Sequence, residues 1–385
     1  MEPLGVLRKG VFAVCLFLWS QSLLYSQTQP WSERIDFYGD LRLRYDATQH
    51  DGYQDVFRYR LRVGLEAALS DAITAGVEIR SGNPRDPVSD NQSFGGGLSK
   101  HDFSVAEVFG DFRLSPRFSV VAGKFEHSQY WVVSDMQWDE DVTVEGLMER
   151  IELRRGDDLL RRLDASIYQL FLAEADQGDA WLFGAQVRPS LQIGDDNALT
   201  IGAAFDYLLD PQRVVDLTLE GELAGNTMTN LLDESGRLIS DFRILTGSLI
   251  WRNQSMEDWT LSSSFFLYKN TGASNSVGTE TSTGARDKGS ENDTAFFFRF
   301  AADQGPEPGK LLIRFAYYYS EPDAILYAFM QSDTRRSSNL NGTRVDLRVG
   351  MPARTYFNIT WYRTKPKLGA DTTMNRWLID YVLPF

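Results

Sequence analysis

Arginines on alternate positions are the residues of this chain best placed to do chemistry. Arg58, Arg60 and Arg62 share one face of an extended segment whose other face is apolar and aromatic. Guanidinium groups stay positively charged and bind carboxylates and phosphates through paired hydrogen bonds. A row of them on one face can therefore create an electric field or hold anions. The flanking segments repeat the alternation, which gives the candidate set Arg42, Arg44, Arg58, Arg60, Arg62 and Arg80.

An acidic and aromatic segment later in the chain could oppose these arginines. It contains Tyr130, Trp131 and Trp138, and its candidate carboxylates are Glu126, Asp135, Asp139 and Asp141. Facing rows of positive and negative side chains create a transverse field, which is one way in which aqueous channels select ions. In the alternative interpretation, these charges are solvated and pair locally.

The residue types needed for enzymatic chemistry are not arranged for it. The chain has three histidines, His50, His101 and His127, which all fall in predicted loops or at their edges. His127 and Ser128 are neighbours on opposite faces of an extended segment, which is poor geometry for a nucleophile and its base. Spacings typical of metal ligands, phosphate loops and nucleophile elbows do not occur. We therefore expect solvated loop histidines and predict no catalytic residues, no metal site and no cofactor.

Alternation of apolar and polar residues predicts the elements that must position the arginines. The fold class predicted is all-β, a transmembrane antiparallel up-and-down β-barrel of about 16 strands, since segments of this length cross a bilayer when tilted. Short turns alternate with long loops, which we expect on the periplasmic and extracellular sides respectively. The predicted strands are 35–46, 56–68, 73–82, 103–114, 117–125, 142–154, 162–173, 181–193, 198–209, 239–252, 258–269, 293–302, 310–321, 343–351, 355–365 and 374–385.

Two segments compete with this assignment. Residues 213–223 alternate well enough to form a strand, but counting it would place the long segment 271–292 on the side of the short turns. We therefore assign 213–223 to an extended loop, with a hairpin of its own as one option. Residues 323–330 are apolar and are expected to form a short helix or an ordered patch within a loop.

The last segment carries a membrane-insertion signal. Apolar and aromatic residues occupy its alternate positions, and the chain ends in phenylalanine. This ending is typical of outer-membrane barrels, in which the outward face meets lipid. We assign the signal to Tyr381, Leu383 and Phe385. The alternative is the amphipathic last strand of a secreted soluble β-protein.

The first residues predict export. Arg8 and Lys9 precede an apolar run over residues 10–19 that is too short to span a bilayer as a helix, and polar residues follow. We predict a signal peptide over 1–26 and a barrel domain over 27–385. The single cysteine, Cys15, lies in the predicted signal peptide, so the mature chain would have no thiol. A net charge of −14 argues against nucleic acid as a partner.

Residues 36–150 resemble the putative porin family of Gram-negative bacterial outer membranes. The similarity lies in residues 39–45, 58–67, 81–84, 87–92, 122–124, 138–141 and 145–146. It implies a barrel through which small hydrophilic solutes and ions diffuse passively. The implied partners are outer-membrane lipid and the barrel assembly machinery during insertion, and a homotrimer stays open because porins of this size commonly form one. The chain departs from the family at 125–131, where an Asn-Pro-Phe-like stretch is expected.

The resemblance also implies a role for the acidic segment, because the loop after the fifth strand of porins commonly folds inward. We hypothesise a constriction in which the arginines form the wall and the carboxylates lie on the loop. A substrate-specific channel for anionic solutes, or an export channel for an acidic polysaccharide, could use the same arginines.

Overall fold

The computed structural model describes residues 31–50, 52–97, 99–174, 178–224 and 227–385. The predicted signal peptide and Cys15 lie outside these ranges, so both remain predictions. Within the described residues, no helix is long and apolar enough to cross a membrane.

Sixteen antiparallel strands form a closed barrel in the described part of the chain, as predicted. Each strand pairs with the next along the chain, and the last pairs with the first. The strands are β1 Ile35–Gln49, β2 Tyr53–Ser70, β3 Ile73–Ser81, β4 Phe103–Ser115, β5 Phe118–Glu126, β6 Thr143–Arg155, β7 Leu160–Ala173, β8 Ala180–Ile193, β9 Asn197–Leu209, β10 Arg243–Met256, β11 Trp259–Asn270, β12 Thr294–Asp303, β13 Leu311–Ser320, β14 Leu340–Gly350, β15 Tyr356–Lys365 and β16 Met374–Pro384.

Closure brings the chain's last residue against β1. Asp40 lies opposite Pro384 in the β1–β16 register. The Gly39 amide donates to the Phe385 carbonyl at 2.9 Å, and the Phe385 amide donates back to Gly39 at 3.0 Å. A β-carbon at position 39 would overlap the Phe385 ring, so glycine is needed there. Closure leaves no unpaired edge between the first and last strands.

The two faces of the strands differ as the alternation predicts. Outward side chains are large and apolar, and Phe37, Phe57 and Trp377 are 72%, 60% and 50% exposed. Inward side chains of the same strands include Arg44, which is 5% exposed, and Asp380, which is 4% exposed. An apolar outer band with a polar interior is the arrangement of a barrel that crosses a bilayer.

The connections divide the barrel into two ends. One end, here called the turn end, carries the connections at 71–72, 116–117, 156–159, 194–196, 257–258, 304–310 and 351–355. The opposite end, the loop end, carries longer segments, of which 82–102, 127–142, 210–242, 271–293 and 321–339 are the largest.

The loop end has secondary structure of its own. Strands Leu231–Leu232, Val277–Glu280 and Arg286–Lys288 form a small sheet, and Gln92–Ser93 pairs with β2. Helix α1 spans Gln212–Leu219, and 3-10 turns span Trp31–Glu33, His127–Gln129, Gly289–Glu291, Tyr327–Phe329 and Pro352–Arg354.

The strand-like segment 213–223 is mostly helix α1, so the hairpin option is wrong although the loop assignment is right. The reason is packing inside the barrel. Val214 and Val215 are fully buried, and the helix lies against β7 and β8. Its Thr218 shares a 2.6 Å hydrogen bond with Tyr327, within the segment 323–330 that was expected to be ordered. A helix satisfies its own backbone groups where no strand edge is offered.

A packed apolar cluster fills part of the interior near the loop end. Its strand members come chiefly from the inner faces of β5 round to β13, and loop residues complete it. The largest fully buried side chains include Phe125, Met148, Tyr168, Leu170, Phe242, Phe266, Tyr268, Phe297, Tyr318 and Tyr327. This side of the barrel is therefore filled by side chains rather than by water.

Glycine 184 gives a test of this packing. Gly184 faces Tyr168 across β7 and β8, and a β-carbon there would overlap the Tyr168 ring. Tyr168 also donates a hydrogen bond to Asp206 and stacks on Trp131 with ring centroids 4.8 Å apart. We expect Gly184→Ala to lower the free energy of unfolding by about 1–3 kcal/mol, because overpacking displaces the ring.

The measurement is denaturant unfolding of the detergent-solubilised barrel, followed by tryptophan fluorescence. Gly247→Ala in β10 is the matched control, because a β-carbon there meets nothing within 4 Å. Equal stability of the two variants would show that the Tyr168 position is not tightly packed.

Candidate functional site

Residues 127–142, here called the crossing loop, lie inside the barrel and span it. Near its end, the Asp141 carboxylate binds arginines of β2. In its middle, the Val132 amide donates to Gln186 of β8 at 2.9 Å, and Ser134 shares a 2.6 Å hydrogen bond with Tyr268 of β11. These contacts reach widely separated strands, so the loop crosses the lumen.

Asp141 joins the crossing loop to the arginine wall of β2 and β3. Arg60 binds its carboxylate at 3.3 Å, and Arg62 binds the same oxygen. Arg80 donates to the Asp141 carbonyl at 3.0 Å. Asp90 of the loop 82–102 donates its amide to the other carboxylate oxygen at 3.1 Å. Asp141 therefore joins two loops and two strands: its carboxylate binds β2 and the loop 82–102, and its backbone carbonyl binds β3.

Asp141 and Asp90, the two loop carboxylates in this group, have pKa values that are shifted in opposite directions. Burial opposes ionisation of Asp141, but Arg62, Arg60 and Arg42 outweigh it and hold the pKa of Asp141 well below its usual range. For Asp90, burial and the nearby charge of Asp141 outweigh Arg62 and raise the pKa to about 6. Asp141 is thus the fixed negative charge of the wall, and Asp90 is the group that titrates.

A second charged group lies on β1, β2 and β16, and we call it the ion network. Arg44 binds Asp380 at 2.6 Å and the loop residue Asp333 at 3.0 Å. Asp46 accepts from Arg376 at 2.7 Å and lies 3.4 Å from Arg58. Burial disfavours the charge of Asp333, yet Arg44, Arg376 and Arg42 hold its pKa well below the usual range.

Residues 321–339, here called the clasping loop, hold the crossing loop through backbone, carboxylate and aromatic contacts. The Asp139 amide donates to the Phe329 carbonyl at 2.8 Å, and the Ser332 amide donates to the Asp139 carboxylate at 2.6 Å. The rings of Trp138 and Phe329 stack with centroids 5.1 Å apart. Burial and the charge of Asp141 raise the pKa of Asp139 well above its usual value. Together these contacts, here called the clasp, bind the two loops across the interior.

The structure brings only some of the predicted loop acids to the predicted wall. Asp141 meets Arg60 and Arg62, whereas Asp135 lies 3.4 Å from Arg344 of β14 and accepts from Tyr318 at 3.3 Å. Glu126 ends β5 and binds Ser128 and Gln129 instead of an arginine. Asp139 binds backbone amides of the loops, as described above.

The predicted arginines likewise bind several different partners. Arg42 donates to Asn91 at 2.9 Å and lies 3.9 Å from Glu140. Arg80 binds Glu78 of its own strand and Glu107 of β4, the latter at 2.7 Å. Arg44 and Arg58 belong to the ion network. At the other end of the chain, Tyr381 packs on Phe357 with ring centroids 4.8 Å apart, Leu383 lies opposite Leu41, and Phe385 is 61% exposed.

His127 corrects the expectation of solvated histidines. It is 1% exposed, its ring Nδ1 donates a 2.9 Å hydrogen bond to the Val142 carbonyl, and Trp131 and Trp138 lie beside it. Burial lowers its pKa. The reason is that the whole crossing loop turns inward, which local sequence does not show. His101 shares a 2.9 Å hydrogen bond with Tyr59.

Several residues of the site were not among the predicted ones. Asp46, Arg376 and Asp380 fall on the inward positions of their strands, so alternation could have identified them. Asp333 and Asp90 lie in loops, where no periodicity marks them. Among the described residues, no group of three or more His, Cys, Asp and Glu side chains is arranged to hold a metal ion.

Comparison with known proteins places the chain among porin-like barrels. The sequence profile of the family described as "Putative porin" matches residues 47–209. No curated protein sequence matches this chain significantly. Salmonella typhi OmpF, solved in complex with daunomycin, is similar over 91% of this chain and 97% of its own, with 11% identity and a TM-score of 0.55. Outer-membrane expressed OmpT of Vibrio cholerae covers the same shares with 10% identity and a TM-score of 0.51. Identities this low show the fold alone.

The Asp141 contacts have a pH-dependent consequence. We expect Asp141→Asn to lower the free energy of unfolding by about 3 kcal/mol near neutral pH, because it leaves buried arginines without their carboxylate. The pKa of Asp141 is depressed in the fold, so its contribution is full above the unfolded value of about 4 and declines as the pH falls below it. The difference between wild type and variant should therefore shrink in acid.

Glu140→Gln is the control, since it removes the same charge from the neighbouring residue. The Glu140 side chain is 66% exposed and lies 3.9 Å from Arg42 and Arg60, where an ion pair contributes little. Denaturant unfolding from pH 3 to pH 8 measures both variants. A loss for Asp141→Asn no greater than that for Glu140→Gln would contradict the anchoring role.

Proposed function

We propose that this chain, whose resemblance to the putative porin family is confirmed over residues 47–209, is an outer-membrane porin. It lets small hydrophilic solutes and ions diffuse passively through the barrel. The arginine wall and the acidic crossing loop form the constriction. The long loops lie on the extracellular side and the turns face the periplasm.

One observation carries the proposal more than any other. Glu140 belongs to the crossing loop inside the barrel, yet its side chain is 66% exposed and lies 3.9 Å from both Arg42 and Arg60. Solvent therefore reaches Glu140 beside the arginine wall, whereas the side chains of Arg42 and Arg60 are only 7% and 9% exposed. An interior that is wet beside opposed charges, within a barrel whose outer face is apolar, suits a channel.

The arrangement of the interior implies where solutes pass. The apolar cluster occupies the side from β5 to β13, so the polar path follows the inner faces of β14 to β16 and β1 to β3. Arg344 and Asp346 lie on that path in β14, and the ion network and arginine wall continue it. A path of this kind is narrow and lined by charges that are already paired, so it admits small ions and hydrophilic solutes.

The alternative functions differ in how well the geometry supports them. An export channel for an acidic polysaccharide needs room for a polymer, and the clasp between the two interior loops works against it. A channel for anionic solutes keeps support from Arg252 and Arg299, which make no ion pair within the part of the chain that the structure describes. An enzymatic role gains nothing from the histidines, since His127 is buried and held by a backbone carbonyl. Outer-membrane lipid and the barrel assembly machinery during insertion are the partners that this proposal implies, and a homotrimer remains a prediction from the resemblance.

Opening the clasp tests the proposal. We expect the refolded chain to give small, steady current steps in a planar lipid bilayer. The double variant Trp138→Ala/Phe329→Ala should give larger steps, because it removes the stacked rings that join the two loops. Phe94→Ala is the control. Phe94 belongs to the loop 82–102 and packs on Tyr59 of β2, away from the clasp.

Folded barrels of wild type and double variant that both carry no current would contradict a diffusion channel. An equal increase with Phe94→Ala would mean that the loops control current without the clasp.

A further inference from the structure

A cavity of about 740 Å³ opens between β10 and β13 at the turn end of the barrel. Its polar lining includes Arg252, Arg299 and Arg314 together with the hydroxyls of Thr260, Ser262 and Ser264. The cavity lies away from the arginine wall of β2 and β3.

The cavity belongs to the lumen rather than to the lipid face. Ser264 is 5% exposed and Phe266, two positions on, is 1% exposed, so both point inward. In β13, Arg314 shares its face with buried Ala316 and Tyr318, whereas Ile313 is 48% exposed and points outward. The cavity lies at the turn end, beyond the apolar cluster, and its Arg314 is opposite Asp346 of the polar path in the β13–β14 register. A solute on that path would therefore meet these arginines at the turn end of the barrel.

Arg252 and Arg299 differ from the arginines of the wall in having no anionic partner among the described residues, and Arg314 has only Asp346 opposite it in the β13–β14 register. Within the described residues, Arg252, Arg299 and Arg314 make no ion pair and no side-chain hydrogen bond. In the β12–β13 register, Arg299 lies opposite Ala316 and Ala301 lies opposite Arg314. Arg299 and Arg314 are therefore diagonal neighbours on the same face. Their positive charges repel each other; Arg344 adds to the repulsion on Arg314, and Asp346 and Asp135 partly offset it. An anion between them would relieve this repulsion.

The acids at the rim do not neutralise the three arginines. Asp303 lies 3.2 Å from Arg348, and Asp258 lies 3.2 Å from Lys310, so each has a cation outside the cavity lining. Glu257 lies at the turn and also lines the cavity. Two of the three rim acids are thus paired with cations outside the lining, whereas the cavity between the strands presents guanidinium groups and hydroxyl donors.

We infer that this cavity is a binding site for a small oxyanion, a phosphate or carboxylate group carried by a solute. Guanidinium groups bind such groups through two parallel hydrogen bonds, and hydroxyls can donate to the remaining oxygens. Since the inference rests on the proposed channel function, the site would hold anionic solutes near the turn end during their passage. A bound anion would slow the flow of other anions, so the current should saturate.

The experiment uses inorganic phosphate as the probe and the refolded chain in two assays. Chloride current across a planar bilayer is measured with increasing phosphate, and phosphate binding to the detergent-solubilised barrel is measured by calorimetry. We expect phosphate to reduce the chloride current and to bind at one site. The variant Arg299→Gln/Arg314→Gln should weaken both effects at least about tenfold, since a charge-assisted hydrogen bond contributes that much.

Arg188→Gln is the matched control, because Arg188 lies two residues beyond inward Gln186 in β8 and does not line the cavity. It should change the phosphate effect by less than about twofold. An equal loss with Arg188→Gln would overturn the site in favour of general attraction by the basic lumen, and so would absence of phosphate binding to wild type. A wild-type barrel that binds phosphate but carries no chloride current would leave the site standing and refute the channel.

Discussion

The buried charge of Asp141 is the constraint on which the interior of this barrel depends. An ionised carboxylate cannot remain away from water unless cations and hydrogen bonds balance it. Arg60 and Arg62 supply the cations, and the Asp90 amide supplies a hydrogen bond. Because the arginines belong to the barrel wall and Asp141 to a loop, this balance holds the crossing loop in the lumen. Asp139 lies two residues before Asp141, so it is also held inside the barrel, where it contacts the clasping loop.

The loops divide the interior into two sides of different chemistry. From β5 round to β13, aromatic and aliphatic side chains pack against the crossing loop as they would in a soluble core. From β14 round to β3, arginines and aspartates pair with each other and with loop residues. The packed side holds the loops in place, and the charged side would give solutes a polar surface in the proposed channel. The exposed side chain of Glu140 marks where water meets that surface.

Sequence alternation predicted most of the fold, because each strand must show an apolar face to lipid and a polar face to the lumen. All sixteen strands lie near their predicted positions, with the tenth displaced from 239–252 to Arg243–Met256. Alternation also predicted that the arginines face the lumen. Loop conformation was harder to predict, since it depends on contacts with distant strands. The burial of His127, the helix over Gln212–Leu219 and the pairing of Asp333 with Arg44 all depend on such contacts.

The reversal potential under a salt gradient tests most directly whether solutes pass along the charged side. Arg58 is suited to the test because its side chain is 25% exposed and its nearest carboxylate, Asp46, is 3.4 Å away. If ions follow this path, Arg58→Glu shifts the reversal potential toward cation selectivity relative to wild type, because a positive charge beside the path becomes negative. An open channel whose reversal potential is the same in wild type and Arg58→Glu would contradict the account.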